Sequence, residues 1–364
     1  MNNGLRPANS FATAFEGTRN NFDVLRLAAA LAVLFGHSFV LSAGVQNFET
    51  MDPLSRALSP YAAYGEAIQE FAVNLFFVIS GFLVTCSYLR SGSLLKYAVS
   101  RGLRIYPAAV LGALVTVLAL SLLSPVAPAA YFSDPETAAY LLHNSFLYKV
   151  KYALPGLFES NPYGLAVNGS LWTLPLEIRC YVGVAILGVA GLLGHKRLFN
   201  GLLVAVALSV IVPGWSGWIS GDIDKLRLIL FFAAGAAFYI NRRHIPFGMA
   251  AFAVLAGAFA LAPKGSGVEQ LVYVALVTYA TLALALTRRL PLINLKPLGD
   301  LSYGVYLYAF PVQQALISMF PNQFGAWSLV AAAGAVTGLL AAASWWLVER
   351  HALSLKKRLL GRLS

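Results

Sequence analysis

In the stretch RLAAALAVLFGH, an arginine and a histidine close the two ends of an apolar run, Arg26 and His37. Eleven positions separate them. On a 3.6-residue helix that is three turns plus about 20°, so both side chains stand on one face, about 16 Å apart along the axis. Ionisable groups inside an apolar helix are costly and generally face a bundle interior or a wet cavity. Arg26 is then either a snorkelling anchor or a cationic site, and His37 either a packing residue or a base.

Two further clusters have chemical potential. In SLWTLPLEIR, Ser170 to Arg179, Glu177 lies about two turns along a helix entering from the opposite side, at a depth that matches His37. A carboxylate beside an imidazole holds its tautomer and stabilises its protonated form; the alternative is a salt bridge from Glu177 to Arg179. Pro175 predicts a locally opened backbone there. Trp172 is either an interfacial belt residue or a platform for a sugar ring. In SRGLRIYP, Arg101 and Arg104 are three apart and project from one side of a helix. Two guanidinium forks can grip one phosphate-bearing group, although the same pair would also serve as topology anchors.

These residues must be positioned by elements suited to a bilayer. Hydrophobic residues make up 59% of the 364 and charged ones 11%, against roughly 25% charge in a soluble domain; the mean hydropathy is +0.70. A crossing helix needs about 20 mostly apolar residues. Ten stretches qualify, some of them short: 23–43, 67–90, 103–124, 171–193, 198–213, 226–240, 247–262, 268–287, 300–319 and 326–348. The sequence therefore predicts an all-α polytopic membrane bundle, with a tail over 1–20, a transmembrane domain over 21–350 and a basic tail over 351–364. Segment 136–150 is apolar but short, and is expected to lie at the interface or over the bundle.

The net charge of +11 does not point to nucleic acid, because the basic residues fall between apolar runs. With the N-terminus inside, eighteen Lys and Arg fall in inner segments and six in outer ones, an asymmetry that predicts both termini in the cytoplasm. The polar residues before Asn21 lack a signal-peptide core, so the first span is expected to be retained. Cys86 and Cys180 both lie in apolar segments and imply no disulfide, and the five histidines are too scattered for a metal. In NLFFVISGFLV, Ser80 and Gly81 read as a close-packing point between helices, while Asn74 is a buried polar group that needs a partner and could line a polar cavity. Asn168-Gly-Ser170 matches a glycosylation sequon, a tripeptide common by chance.

Taken together, FDVLRLAAALAVLFGH, the RxxR of Arg101 and Arg104, NLFFVISGFLV, SLWTLPLE, LSYGVYLYAFPV at 301–312 and WWLVER at 345–350 resemble the membrane acyltransferase family three. Its members are integral-membrane enzymes that O-acylate glycans, lipopolysaccharide, peptidoglycan and some antibiotics. The resemblance covers residues 20 to 350. It implies an acyl-CoA donor, most often acetyl-CoA, approached from the cytoplasm of a bacterial inner membrane, and no metal. Arg26, Arg101 and Arg104 would hold its phosphates, His37 with Glu177 would do acid–base work, and Asn74 and Trp172 would meet the acceptor, a glycan or lipid-linked oligosaccharide.

The chain departs from the family at two positions. Ala309 stands where many members have a histidine, and Asn74 where an acidic residue is common. Direct transfer with His37 as general base and a covalent acyl-histidine both fit the sequence. A transporter or flippase is the alternative, since intramembrane Arg, Glu and His also mark transport routes. Acyl length and oligomeric state are not legible.

Overall fold

The computed structural model describes residues 10–16, 20–44, 50–61, 63, 67–212, 220–287, 295 and 297–361. Arg6, Arg19, Arg288, Arg289, Lys296 and Arg362 of the charge count lie outside them. Among the described residues the regular elements are helical, and the strand-like pairing is a single bridge between Ser10 and Pro246. The α-helices are α1 (Phe11–Glu16), α2 (Phe22–Ala43), α3 (Pro53–Leu58), α4 (Ile68–Ser91), α5 (Leu94–Leu120), α6 (Pro128–Ser133), α7 (Pro135–Phe146), α8 (Thr173–Val189), α9 (Lys196–Ile211), α10 (Ile223–Asn241), α11 (Met249–Leu261), α12 (Gly267–Leu286), α13 (Ser302–Met319), α14 (Ala326–Ser344) and α15 (Arg350–Gly361).

Every one of the ten expected segments contains a helix. Among the described residues, six helical segments are long and apolar enough to cross a membrane: Phe22–Ala43, Ile68–Ser91, Leu94–Leu120, Gly169–Val189, Gly267–Leu286 and Ala326–Lys356. This is an integral-membrane helical protein. The other four fall short for visible reasons. At 13 residues, α11 rises only about 20 Å, and α9 has 16 residues. Asp224, Lys225 and Arg227 interrupt the start of α10, and α13 carries Gln313 and Gln314.

Local sequence sets the ends. Asp222 caps α10, accepting from the backbone N–H groups of Asp224 and Lys225, and Ser266 caps α12 through Glu269. Gly44 closes α2 in the left-handed region at φ 80°, where its N–H donates to the Val40 carbonyl. Ser93 caps α5, and this moves a predicted boundary: the helix starts at Leu94, not near 103. Arg101 and Arg104 therefore sit two to three turns inside α5 rather than at its start. The basic segment after 350 is likewise helical. A π-turn over Trp345–Glu349 joins α14 to α15, which folds back on α5. Ahead of the first span, α1 docks through Phe11, whose ring meets Phe238, Phe247 and Tyr279 edge-on at 5.0–5.6 Å.

Two packing features position the site. Helices α4 and α10 touch backbone to backbone. A β-carbon on Gly81 would lie 2.0 Å from the Phe232 carbonyl oxygen, and one on Gly235 2.2 Å from that of Val78, so the small residue is what allows the approach. The second feature is α13, buried against α2, α5 and α14. Its glutamines hold neighbours in place: Gln313 donates to the Leu34 carbonyl and to Ser38 Oγ of α2, both at 2.7 Å. Gln314 donates to the carbonyls of Gly164 and Ala166 at 3.0 and 2.8 Å. The predicted interfacial segment 136–150 forms α7, packed over α5, with Asn144 clasping the backbone of Lys151 through both amide atoms.

Candidate active site

Five helices close around one polar cavity, which encloses about 770 Å³ with its mouth included. Arg26 comes from α2, Ser80 from α4, Arg101 and Arg104 from α5, Glu177 and Tyr181 from α8, and Tyr303 and Tyr306 from α13. The walls between the polar groups are apolar and aromatic, among them Phe76, Phe77, Leu83 and Ile105.

At one end lies a carboxylate that the sequence reading passed over. Asp300, in the segment before α13, pairs with Arg104 through a short contact and with Arg26 at 3.3 Å, both on Oδ2, while Ser302 Oγ donates to Oδ1 at 2.6 Å. Burial alone would push this carboxyl up. The Arg104 and Arg26 guanidiniums and the Ser302 hydroxyl outweigh it and hold the group well below the ordinary carboxylate range. Arg26 also reaches Asp23 at 2.9 Å.

Arg101 is different. Its one hydrogen bond among the described residues is a 3.5 Å contact from Nη2 to Ser87 Oγ, and its buried Nε has no partner. The RxxR pair thus divides into an arginine committed to Asp300 and one left open to an anion.

Glu177 stands in the middle of the cavity but not beside His37. Its Oε1 accepts from Ser80 Oγ at 2.6 Å and from the Tyr181 hydroxyl at 2.7 Å. Neither a His37 pair nor an Arg179 salt bridge is present. Ser80, read as a packing residue, is a site residue, and the packing role falls to Gly81 alone.

The other end is closed by hydroxyls. Thr173 Oγ1 and the Tyr306 hydroxyl lie 2.6 Å apart, and Tyr306 donates to the Ser170 carbonyl at 2.7 Å. Behind this partition Ser170 Oγ meets His37 Nδ1 at 3.4 Å. His37 is half-buried, with its ring edge-on to Phe310 at a centroid distance of 5.2 Å. His37 is outside the cavity wall, with Ser170 and the Thr173–Tyr306 pair between them.

A proline explains how Ser170 is held. Pro311 has no N–H to give the Leu307 carbonyl one turn back, and Asn168 Nδ2 supplies the missing donor at 2.8 Å. The same side chain accepts from Ser170 N–H at 3.1 Å, capping the 3-10 turn over Gly169–Trp172 that leads into α8. The opening expected at Pro175 falls in this turn, with Pro175 itself in the first helical turn of α8. Asn168 is 3% exposed, so the sequon is structural. Asn74 is fully buried in α4 and outside the cavity wall. Ala309 is fully buried in α13. Trp172 faces away, into a separate depression on the other side of α8.

Helices long enough to cross a membrane surround a buried cavity lined by cationic and carboxylate groups, which defines an integral-membrane protein with an internal polar site. Its class is given by comparison with known proteins. The acyltransferase-domain family model matches residues 19–348, and the chain belongs to that family, as the motifs led us to expect. An O-acetyl transferase of Shigella phage Sf6 is 33% identical over 352 residues, covering 92% of this chain and 96% of the relative. Nodulation protein 10 of Rhizobium leguminosarum bv. viciae is 29% identical over 396 residues, covering 98% and 99%. No solved structure matches at a significant level.

Proposed function

We propose that this chain is an O-acyltransferase of a bacterial cytoplasmic membrane, with ten spans and both termini in the cytoplasm. It moves an acyl group from cytoplasmic acyl-CoA to a hydroxyl of an envelope or exported glycan. The observation that carries the reading is the cavity itself. It begins at Arg101, which has no ion-pair partner among the described residues and is suited to a phosphate, and ends one serine short of His37. The printed name of the phage relative, O-acetyl transferase, favours acetyl as the group moved.

In this reading the donor's phosphates rest on Arg101, and the narrow thioester arm follows the apolar wall toward Thr173 and Tyr306. His37 points Nδ1 at Ser170. A base needs that nitrogen protonated and donating to Ser170 Oγ, which leaves Nε2 with its lone pair for the acceptor. The acceptor oxygen attacks the thioester carbonyl as Nε2 takes its proton. The C–S bond then breaks, and the departing thiolate recovers that proton from the imidazolium. Glu177, held by Ser80 and Tyr181, serves the cavity as a hydrogen-bond acceptor rather than as the partner of His37.

The test is transfer of radiolabel from acetyl-CoA to envelope glycan by purified protein in detergent. Wild type is expected to label the glycan, and His37→Ala to lose at least about 100-fold, the lower range of acid–base contributions. His37→Gln controls for packing. Wild-type turnover in either variant removes His37 from the chemistry, and no transfer from any acyl-CoA by folded wild type overturns the activity.

A further inference from the structure

The cavity occupies one face of α8, and the opposite face carries a second depression that the acyl-transfer reading does not use. It opens widely, and its volume is about 1030 Å³ with the space at its mouth counted. Lys149, Arg179 and Lys225 line it together with Tyr148, Tyr152 and Trp172. Its two rim carboxylates are already engaged, Asp222 with Lys225 at 2.6 Å and Asp224 with Arg227 at 3.4 Å. Lys149 and Arg179 have no ion-pair or hydrogen-bond partner among the described side chains, and Arg179 is exposed. Two uncommitted cations thus stand beside three aromatic rings at the end of the bundle where His37 lies.

What lies along the helix below this depression narrows the ligand. From Arg179, the residues on the same face of α8 are Val182, Ile186 and Val189, at spacings of three, seven and ten. They are 52%, 61% and 67% exposed. An apolar stripe of this kind on a crossing helix faces lipid chains. A cationic, aromatic head pocket therefore continues into a greasy track running toward the other end of the bundle. A soluble polysaccharide has nothing to place on that track. An amphiphile with a phosphate head and a hydrocarbon tail fills both parts, since guanidinium and ammonium groups bind phosphate and aromatic rings suit the headgroup level.

We infer that the depression framed by Lys149, Arg179 and Trp172 is a binding site for a phosphate-bearing amphiphile that enters sideways from the bilayer, its head in the pocket and its tail along Val182, Ile186 and Val189. Two sources share this chemistry, an anionic phospholipid and the lipid-phosphate carrier of a glycan acceptor. The second source rests on the acyl-transfer reading and would bring a glycan to the His37 end of the molecule. Binding itself requires no donor.

Native mass spectrometry of the purified full-length protein, without acyl-CoA, tests the site. The probes are phosphatidylglycerol, phosphatidylcholine, a polyprenyl phosphate and inorganic phosphate, each against wild type, Lys149→Ala/Arg179→Ala and Ile186→Asn. Phosphatidylglycerol or polyprenyl phosphate is expected to be retained at least about tenfold better than phosphatidylcholine, and the double variant is expected to lose that preference. Ile186→Asn is expected to weaken both anionic lipids. Equal retention of the two anionic lipids supports a resident phospholipid, and a clear advantage for polyprenyl phosphate supports the carrier of an acceptor. Retention unchanged in the double variant, or no preference over phosphatidylcholine, overturns the site. Inorganic phosphate displacing the lipids at equal concentration overturns the amphiphile. Loss of lipid binding would leave acyl transfer standing, because transfer is read with the donor and glycan in the separate assay.

Discussion

At the scale of single residues, the arginines of RxxR carry unequal burdens. Arg104 shares Asp300 with Arg26 in a setting where side chains are 14–22% exposed. Breaking a fully buried pair costs roughly 3–5 kcal/mol. Here Arg26 remains on the carboxylate, so Arg104→Ala is expected to cost about 1–3 kcal/mol. Arg101→Ala removes a group bound to little else, so the fold should hold while the donor loses a charge-assisted contact worth about 1.5–3 kcal/mol, roughly 10- to 100-fold in KM. Thermal unfolding in detergent beside acetyl-CoA titration separates the two. Equal losses of stability in both variants would sink the division. Sequence could point to the pair because two guanidiniums three apart share a helix face whatever the fold. It could not divide them, since the dividing residue is Asp300, 196 positions away. One signal was present, a lone acidic residue just ahead of LSYGVYLY in a chain with 15 acidic residues. His37 with Glu177 failed for the same reason. Depth along two separate helices is legible, but the side each presents to the other depends on packing, and Ser80 on α4 took the carboxylate.

At the scale of elements, the turn before α8 and the middle of α13 form one device. Pro311 leaves the Leu307 carbonyl without a helical donor, Asn168 fills the gap, and the same asparagine caps the turn that presents Ser170 to His37. An unpaired buried carbonyl costs about 1–3 kcal/mol, so Asn168→Ala is expected to lower stability by that amount. Asn168→Ala/Pro311→Ala restores a backbone N–H at 311 and is expected to lose less than the sum of the single changes. Denaturation in detergent of the four proteins measures the coupling, and strict additivity would show that the carbonyl finds its donor elsewhere. Hydropathy could not reveal this device. It weighs residues by transfer cost, and Gln313, Gln314, Asn161 and Asn168 are all buried polar groups that hydrogen-bond across long sequence separations. The same polarity leaves α13 short of the six long apolar segments although 300–319 is among the expected spans, whereas the glycine of SGF was legible as a packing point because only a missing side chain allows such contact.

At the scale of the whole molecule, the contacts bear on how many helices cross. The N–H of Asn21, just before α2, donates to the Ala285 carbonyl near the end of α12 at 2.8 Å. Asp300, just before α13, bonds Arg26 near the start of α2 and Arg104 in the first half of α5. These termini share one end of the bundle, so α13 starts there. Asn200 and Asn241 exchange side-chain bonds at 2.9–3.1 Å, joining the start of α9 to the end of α10, and Gly267 at the start of α12 abuts the Val210 carbonyl near the end of α9. α9 thus runs from the end it shares with α10 to the end where α12 begins. If only the six long segments crossed, the α11–α12 loop would lie on the same side as the C-terminus; with ten it lies on the opposite side. Single cysteines placed at exposed sites in a Cys86→Ala/Cys180→Ala background distinguish the two. With a membrane-impermeant maleimide on intact cells, Glu136→Cys and Pro263→Cys are expected to label, whereas Lys196→Cys and Ser354→Cys should label only after permeabilisation. Protection of Pro263→Cys in intact cells, with Glu136→Cys labelled, would reduce the bundle to fewer crossings, with none or two of α9 to α11 spanning the bilayer.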